Sequence, residues 1–234
     1  MFFDKYKFIS HRGLHSKRLD IPENSIPAFL RSVSKNFAIE LDIRMSSDDE
    51  IVVFHDESLE RMTGVKGNVA DFTSAELQEQ VLNGTKYKIP VLSEVLRLVD
   101  GRVPILIELK NDGLVGKMEK RLVQILKGYN GEYAIQSFNP FVLLWFRINA
   151  PHIKRGQLVS GDNGLCLKKI PFNFITKPDF VSYRYSDINY DLYQRYKKAN
   201  IPIICWTIRT IEDLNRMKVY CKAFIFEEID KFNK

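Results

Sequence analysis

The sequence lacks the features that mark membrane-spanning and secreted proteins. None of its 234 residues belong to an uninterrupted run of about 18 apolar residues, the length that a membrane-spanning helix requires. The amino-terminal stretch, residues 1–7, is interrupted by charge and has no apolar segment of signal-peptide length. We therefore expect a soluble, cytoplasmic protein.

Cysteine is scarce and is not arranged for metal binding or cross-linking. The three cysteines, Cys166, Cys205 and Cys221, are odd in number and lack the short paired spacings of zinc sites and disulfide frameworks. We expect them to be reduced structural residues, because free cysteine is usually buried.

Clustered basic charge is also missing, although the net charge is +6. Lys168-Lys169 and Lys197-Lys198 are the only adjacent lysine pairs. The sequence has no basic helix and no aromatic-basic platform of the kind that binds nucleic acid, so we predict no nucleic-acid partner. The positive charge weakly favours small anionic partners such as phosphates.

Segments with strand and helix patterns alternate along the chain, without a repeat or a flexible linker. A chain of this length with 45% hydrophobic residues can form one large core, and a single α/β barrel domain over residues 1–234 accounts for it. Strands are predicted to end at His11 and to span 38–43, 104–109, 133–137, 154–159, 180–184, 201–206 and 223–227. Helices are predicted near 28–33 and at 92–99, 114–128, 140–149, 189–199 and 211–219.

The apolar segment at 51–55 does not fit the alternation, because about nine residues are too few for a helical crossover between parallel strands. The sequence Ser47-Asp48-Asp49-Glu50 is typical of a turn. We predict a β-hairpin centred between Asp48 and Asp49 that pairs Asp42 with His55.

Polar residues end several of the predicted strands. They are His11-Arg12-Gly13, Glu40-Leu41-Asp42, His55-Asp56 and Glu108-Leu109-Lys110. Because the carboxyl ends of barrel strands meet on one face, which is where such barrels build active sites, we expect these side chains to converge.

The chemistry of this set is suited to a phosphate ester. Glu40, Asp42 and Glu108 would repel one another without a cation, and oxygen ligands favour Mg²⁺ or Ca²⁺ over zinc. Arg12 and Lys110 are suited to non-bridging phosphate oxygens. His11 and His55 could divide the proton transfers, because imidazole titrates near neutral pH.

Each of these residues also has a structural interpretation. A histidine at a strand end can be a hydrogen-bonded structural residue, and Glu108 and Lys110 can form an ordinary salt bridge. Their joint placement favours the functional interpretation. His15 and His152 are interpreted as surface residues.

The motifs resemble those of the glycerophosphodiester phosphodiesterase family, which shares a barrel with phosphatidylinositol-specific phospholipases. The resemblance runs in order over nearly the whole chain. The motifs are His11-Arg12-Gly13, Pro22-Glu23-Asn24-Ser25, Glu40-Leu41-Asp42, Val52-Val53-Phe54-His55-Asp56 followed by Leu59 and Arg61, Ile107-Glu108-Leu109-Lys110, Gln136-Ser137-Phe138-Asn139-Pro140 and Cys205-Trp206-Thr207.

The resemblance implies a TIM barrel with a small insertion near residues 56–104 and hydrolysis of a glycerophosphodiester to glycerol 3-phosphate and an alcohol. It implies metal ligands at Glu40, Asp42 and Glu108, and acid/base histidines at His11 and His55. It also implies phosphate contacts at Arg12 and Lys110, and a pocket lined by Glu23, Asn24 and Trp206.

The chain departs from the family pattern at three places. Ile208-Arg209 follows the tryptophan-threonine pair, where the family usually has a small apolar residue and asparagine. The last strand reads Phe226-Glu227-Glu228-Ile229, where the family usually has threonine-aspartate before proline. The hairpin turn also lacks its usual glycine. Arg209 and Glu227 leave the alcohol moiety of the substrate open.

Two other functions remain open at this point. One is a lysophospholipase D that acts on lipid glycerophosphodiesters at a membrane surface, and the other is a barrel that binds a phosphodiester without turnover. Helix 140–149 carries six consecutive apolar residues, 141–146, more than one core-facing stripe can bury. We predict that this helix, with Phe141, Leu144 or Trp145 exposed, contacts a second copy of the chain or a membrane surface.

Overall fold

The computed structural model of the protein describes residues 1–111, 113–161 and 175–227. The strands in these ranges are β1 (Phe8–Ser10), β2 (Ala38–Met45), β3 (Ile51–Val53), β4 (Ile105–Leu109), β5 (Tyr133–Ser137), β6 (Arg155–Val159), β7 (Phe180–Arg184), β8 (Ile203–Ile208) and β9 (Ala223–Phe226). The α-helices are α1 (Ile26–Ser34), α2 (Glu60–Thr63), α3 (Ser74–Leu77), α4 (Leu92–Val99), α5 (Lys117–Leu126), α6 (Pro140–Asn149), α7 (Tyr190–Lys198) and α8 (Ile211–Met217).

Eight of the strands form a closed parallel barrel. The sheet order is β1-β9-β8-β7-β6-β5-β4-β2, and β1 also pairs with β2, which closes the ring. Strand β3 is antiparallel to β2 and lies outside the ring. The predicted TIM barrel with a β-hairpin arm after the second strand is confirmed.

Side chains alternate between the two faces of each barrel strand, as the pleat requires. In β2, Ile39 and Leu41 pack in the apolar layer shared with α4 and α6. Glu40 and Asp42, at the alternate positions, belong to a buried acidic cluster with Glu108 of β4. The two-residue spacing therefore aims both β2 carboxylates into the barrel, as predicted.

An apolar layer inside the barrel lies below these carboxylates. Ala38, two residues before Glu40, and Leu106, two residues before Glu108, belong to one buried cluster. Phe180 joins that cluster, and its ring lies 5.0 Å from the ring of Phe3, centroid to centroid. The acidic groups thus lie next to a buried apolar layer, which strengthens the electrostatic interactions among them.

The hairpin register differs by one residue from the prediction. Ile43 pairs with Val53, and the amide of Phe54 donates to the carbonyl of Asp42 at 3.0 Å. Asp42 therefore lies opposite Phe54, and not opposite His55. The loop accommodates an extra residue because Asp49 takes a left-handed backbone, with φ at 66°, in the place where the family usually has glycine.

The segment between β3 and α4 has its own small apolar cluster. Leu59, Met62, Val69 and Leu77 are buried together there against Val52 of the hairpin. Helices α2 and α3 lie in this segment. The cluster fixes the segment that follows His55 against the arm, at the rim of the barrel.

The remaining differences from the prediction concern strand boundaries. Strand β8 spans residues 203–208, two residues later than predicted, so Trp206 lies within the strand and Arg209 follows its end. Cys205 and Cys221 are free thiols, as expected, and Cys166 lies outside the described residues. The described part of the chain has no helix long and apolar enough to cross a membrane.

Candidate active site

The three predicted metal ligands come together at the carboxyl ends of β2 and β4. Asp42 and Glu108 are partners in the register of these two strands. One carboxylate oxygen from each of Glu40, Asp42 and Glu108 lies within 4.8 Å of the others, and all three residues are buried. Such a cluster is costly unless cations neutralise it.

The pKa values of Glu40 and Asp42 are shifted in opposite directions. Burial and the neighbouring carboxylates raise the pKa of Glu40 well above its usual range. Burial also opposes ionisation of Asp42, but Lys110 and Arg12 hold the pKa of Asp42 below its usual value. Lys110 Nζ lies 3.2 Å from Asp42 Oδ1 and contacts Glu108, so this ammonium group bridges two of the three carboxylates.

The carboxylates suit a divalent cation, because they offer oxygen ligands and one of these oxygens accepts no hydrogen bond from the part of the chain that the structure describes. Glu40 Oε2 accepts the backbone N–H of Arg12 at 2.9 Å. Glu40 Oε1 is buried and has no hydrogen-bond partner among the described residues. Oxygen-only ligand sets of this kind suit Mg²⁺ or Ca²⁺.

The two predicted acid/base histidines line the same cavity as Glu40 and Glu108. His11 follows β1, and its Nε2 lies 4.0 Å from Glu40 Oε2. His55 follows the hairpin arm, and its Nδ1 lies 2.6 Å from Asp56 Oδ1. Burial lowers the pKa of His55, although Asp42 opposes that change, so the neutral imidazole is favoured there.

Arg12 reaches the cluster because the loop after β1 turns sharply. Arg12 has φ at 54° and Gly13 has φ at 76°, and a Cβ on Gly13 would lie 2.9 Å from Ala28 Cβ. Glycine is therefore required where the loop packs on α1. Arg12 Nε lies 3.3 Å from Asp42 Oδ2.

Glu23 and Asn24 support the cluster from the loop before α1. Glu23 Oε1 accepts from Arg12 Nη1 at 2.8 Å and from Arg61 Nη2 at 2.7 Å. Asn24 Nδ2 donates to Asp42 Oδ2 at 2.9 Å. Both residues thus hold groups of the cluster in place, and Glu23 lines a neighbouring cavity of about 490 Å³.

The central cavity has a volume of about 370 Å³. Trp206 of β8 lines it, and the Trp206 ring meets that of Phe138 edge to face at 5.8 Å. The Trp206 indole N–H donates to the carbonyl of Ser182 at 3.2 Å, which fixes the ring. The cavity is lined by His11, Arg12, Glu40, His55, Glu108, Lys110, Gln136, Phe138, Leu158, Arg184, Tyr185, Trp206, Thr207, Arg209 and Ile225.

Sequence reasoning missed two contacts at this site. Glu227 Oε1 contacts His11 Nδ1, and Glu227 Oε2 accepts from Arg209 Nε at 2.7 Å. His15 is not the surface residue that we predicted: its side chain is 20% exposed, and its Nε2 lies 4.0 Å from Glu227 Oε1. Pairing of β9 with β1 brings Glu227 to His11, and pairing of β9 with β8 brings it to Arg209, so no local pattern indicates these contacts.

Comparisons with known proteins point to a phosphodiesterase family. The sequence profile of the glycerophosphoryl diester phosphodiesterase family matches residues 11–231. A glycerophosphodiester phosphodiesterase of Caldanaerobacter subterraneus subsp. tengcongensis is 34% identical over 223 residues, which cover 89% of this chain and 88% of that protein. Human lysophospholipase D GDPD1 is 33% identical over 140 residues, which cover 54% of this chain and 43% of that protein.

A solved structure shares the fold. The structure of an Oleispira antarctica phosphodiesterase, in complex with the product sn-glycerol-3-phosphate, superposes with a TM-score of 0.83 at 22% identity. The match covers 94% of this chain and 92% of that one. With the profile match over almost the whole length, these likenesses show that the chain belongs to the glycerophosphoryl diester phosphodiesterase family.

Proposed function

We propose that this family member hydrolyses glycerophosphodiesters to glycerol 3-phosphate and an alcohol, with one divalent cation and two acid/base histidines. The observation that carries the proposal is the shared cavity of about 370 Å³. Into it project His11 and His55, the cations Arg12 and Lys110, and carboxylates of the acidic cluster. A phosphate group in this space can meet a proton donor, a proton acceptor and two positive side chains together.

Glu40, Asp42 and Glu108 would hold the cation, with Mg²⁺ or Ca²⁺ as the two candidates. A bound divalent ion supplies positive charge that stabilises developing negative charge on phosphoryl oxygens. Asn24 and Arg12 hold Asp42 in place through its Oδ2. This support favours a fixed arrangement of the carboxylates.

The proton transfers fall to the two histidines. One imidazole takes the proton of a glycerol hydroxyl as that oxygen forms a bond to phosphorus. The other imidazole gives a proton to the alcohol oxygen as its bond to phosphorus breaks. Water then opens the resulting cyclic phosphate and yields glycerol 3-phosphate.

Arg12 and Lys110 stabilise the phosphate group through these changes. The Arg12 guanidinium is planar and can donate two parallel hydrogen bonds to phosphate oxygens, whereas Lys110 provides a compact charge. Glu23 holds the Arg12 side chain in place by accepting a hydrogen bond from it. The aromatic side chains that line the cavity, Trp206 and Phe138, would contact the organic part of the substrate.

A substrate panel tests this function. Purified protein would be incubated with glycerophosphocholine, glycerophosphoethanolamine, glycerophosphoglycerol and lysophospholipids, each with Mg²⁺, Ca²⁺ or chelator, and glycerol 3-phosphate release would be measured. We expect release with at least one soluble diester, and its loss with chelator. Phosphodiester binding with no release, even in a single-turnover assay with either metal, would instead favour a binding barrel without turnover.

A second candidate function, lysophospholipase D activity at a membrane surface, is favoured by exposed apolar side chains near the barrel mouth. Phe141, in the first turn of α6, is 61% exposed, and Leu114, after β4, is 95% exposed. The start of α6 and the segment after β4 are joined, because Asn139 Nδ2 donates to the carbonyl of Asn111 at 2.9 Å. Exposed apolar groups of this kind are typical of membrane or protein contacts.

Phe141, rather than Trp145, is the residue at which this surface is tested, because it is the more exposed of the two. Trp145 is partly buried against the core and meets the ring of Phe146 edge to face. Phe141→Ser should reduce hydrolysis of lysophospholipid in vesicles while release from soluble glycerophosphoglycerol stays unchanged. Sedimentation of both proteins tests the alternative of a dimer contact, which would be weakened by the same change.

A further inference from the structure

Both histidines of the cavity touch a carboxylate that also binds an arginine. At His55, Nδ1 lies 2.6 Å from Asp56 Oδ1. The other oxygen of that carboxylate, Asp56 Oδ2, accepts from Arg61 Nε. The order of groups is therefore imidazole, carboxylate, guanidinium.

The same order recurs at His11 with residues from the opposite end of the chain. His11 Nδ1 contacts Glu227 Oε1, and Glu227 Oε2 accepts from Arg209 Nε at 2.7 Å. Glu227 follows β9, whose last residue, Phe226, accepts the backbone N–H of His11 at 3.0 Å. Pairing of β1 with β9 thus places the Glu227 carboxylate next to the His11 imidazole.

Arg209 and Glu227 are also two of the positions at which the sequence departs from the family pattern. Because they bind each other, the two departures form one structural unit beside His11. Arg209 lines the central cavity, and the Glu227 side chain is only 13% exposed. The Arg209 side chain is half exposed, so the Glu227 carboxylate is the buried member of the pair.

A carboxylate at Nδ1 has a defined effect on an imidazole. It accepts the Nδ1 proton, fixes the ring orientation and leaves Nε2 as the nitrogen that exchanges a proton with the substrate. His11 Nε2 is the nitrogen on the side of Glu40, at 4.0 Å. Burial opposes ionisation of Glu227, but His11 and Arg209 hold its pKa at about 2, so the carboxylate stays charged.

We infer that Glu227, held by Arg209, is a positioning residue that keeps His11 in the tautomer with the proton on Nδ1, as the counterpart of Asp56 and Arg61 at His55. This inference rests on the proposed function for its effect on turnover. The departures from the family pattern at Arg209 and Glu227 then affect the catalytic histidine, and not only the choice of the alcohol moiety.

The test compares Glu227→Gln and Glu227→Asp with a control, Glu79→Gln. Glu79 forms an ion pair with Lys88 at 2.7 Å on the surface, with its side chain 75% exposed, so its variant removes a carboxylate ion pair away from the cavity. The readouts are kcat and KM for glycerol 3-phosphate release with saturating metal, metal affinity by calorimetry, and ¹⁵N spectra of the histidine rings.

We expect Glu227→Gln to lower kcat by about 10- to 1,000-fold, because loss of the carboxylate permits the wrong tautomer. KM and metal affinity should stay within about twofold of the wild type, and Glu227→Asp should restore part of kcat, because these changes act on the acid/base step rather than on binding. The wild-type spectrum should show the His11 proton on Nδ1, and this signature should be lost in Glu227→Gln but kept in Glu79→Gln.

An unchanged kcat in folded Glu227→Gln, or a wild-type His11 ring with its proton on Nε2, would overturn the inference. Equal losses of kcat and melting temperature in Glu227→Gln and Glu227→Asp would also overturn it, because they would indicate a structural role. If the wild type releases no glycerol 3-phosphate from any diester, the proposed function fails, whereas the ring spectra still decide the role of Glu227.

Discussion

At the scale of single residues, the site combines groups that destabilise one another when isolated. Glu40, Asp42 and Glu108 are buried within 4.8 Å of one another, and Lys110 and Arg12 form ion pairs with members of this cluster. Sites that keep such an arrangement usually do so for function, because a packed apolar group would be more stable at the same place.

The acidic cluster gives the first prediction. Asp42→Asn, Glu40→Gln and Glu108→Gln should each weaken the affinity for Mg²⁺ or Ca²⁺ by at least about 10-fold, since even outer-shell changes reach that size. Activity should fall with affinity and recover in part at high metal concentration. Calorimetry on the variants, with Glu79→Gln as the control, measures the effect. Wild-type affinity in all three variants would contradict the assignment of these residues as ligands.

The two histidines give the second prediction. His11→Ala and His55→Ala should each lower kcat by about 10²–10⁴-fold, the usual contribution of a positioned acid or base. Thermal melting should change little, because both rings border the cavity rather than the apolar core. His152→Ala is the matched control, since His152 is exposed in the turn after α6. Near wild-type rates in both cavity variants would show that the chemistry resides elsewhere.

Seven of the fifteen residues that line the cavity were predicted from the sequence as site residues, but their mutual contacts were not. His11, Glu40 and Glu108 lie at the ends of parallel strands, which bring such ends to one face, and the antiparallel arm returns His55 to the same face. The place of Glu227 beside His11 depends on a contact across 216 positions of the chain. Spacing within a segment carries no information about such a contact.

At the scale of elements, strand and helix patterns predicted the barrel well, and turn geometry was the weak point. All eight barrel strands were predicted, with boundaries displaced by up to two residues. The hairpin register was wrong by one residue because Asp49, which is not glycine, takes a left-handed backbone. Aspartate tolerates this conformation better than most residues, but its presence alone does not indicate that it does so.

The packing between β6 and β7 gives the third prediction. A Cβ on Gly156 would lie 2.1 Å from Cε2 of Phe180, which is fully buried. Gly156→Ala should therefore destabilise the protein by about 1–3 kcal/mol or more through overpacking. Gly128→Ala is the control, because the nearest atom to its Cβ would be 4.0 Å away. Urea unfolding of the two variants measures the difference, and equal stability would mean that the Phe180 ring moves freely.

At the scale of the whole molecule, the site depends on both ends of the barrel sequence. Strand β1 pairs with β2 on one side and with β9 on the other, so His11 meets groups from the first 60 residues and from the last strand. The family profile spans residues 11–231, in agreement with a site assembled from nearly the whole chain. The single domain over residues 1–234 stays a prediction.

Glu227, which follows β9, gives the last prediction, a pH dependence of stability. The pKa of Glu227 is about 2 in the folded protein, against an ordinary value of 4.5. Burial opposes this change, but His11 and Arg209 outweigh it. A carboxyl group with a lowered pKa stabilises the fold above its unfolded value and loses that contribution as the pH falls toward its folded value. The contribution of Glu227 should therefore be complete above about pH 4.5 and disappear toward about pH 2.

Glu227→Gln should accordingly be less stable than the wild type at pH 7, by about 1–3 kcal/mol. The difference should shrink as the pH falls from 4.5 toward 2. Arg209→Gln keeps the carboxyl group but removes one of its two cationic partners. The pH dependence of its free energy of unfolding should therefore lie between those of the wild type and Glu227→Gln. Urea unfolding at pH 7, 5, 4 and 3 measures the free energy of unfolding of each protein. A difference that stays constant or grows on acidification would show that Glu227 is not held as a carboxylate between His11 and Arg209.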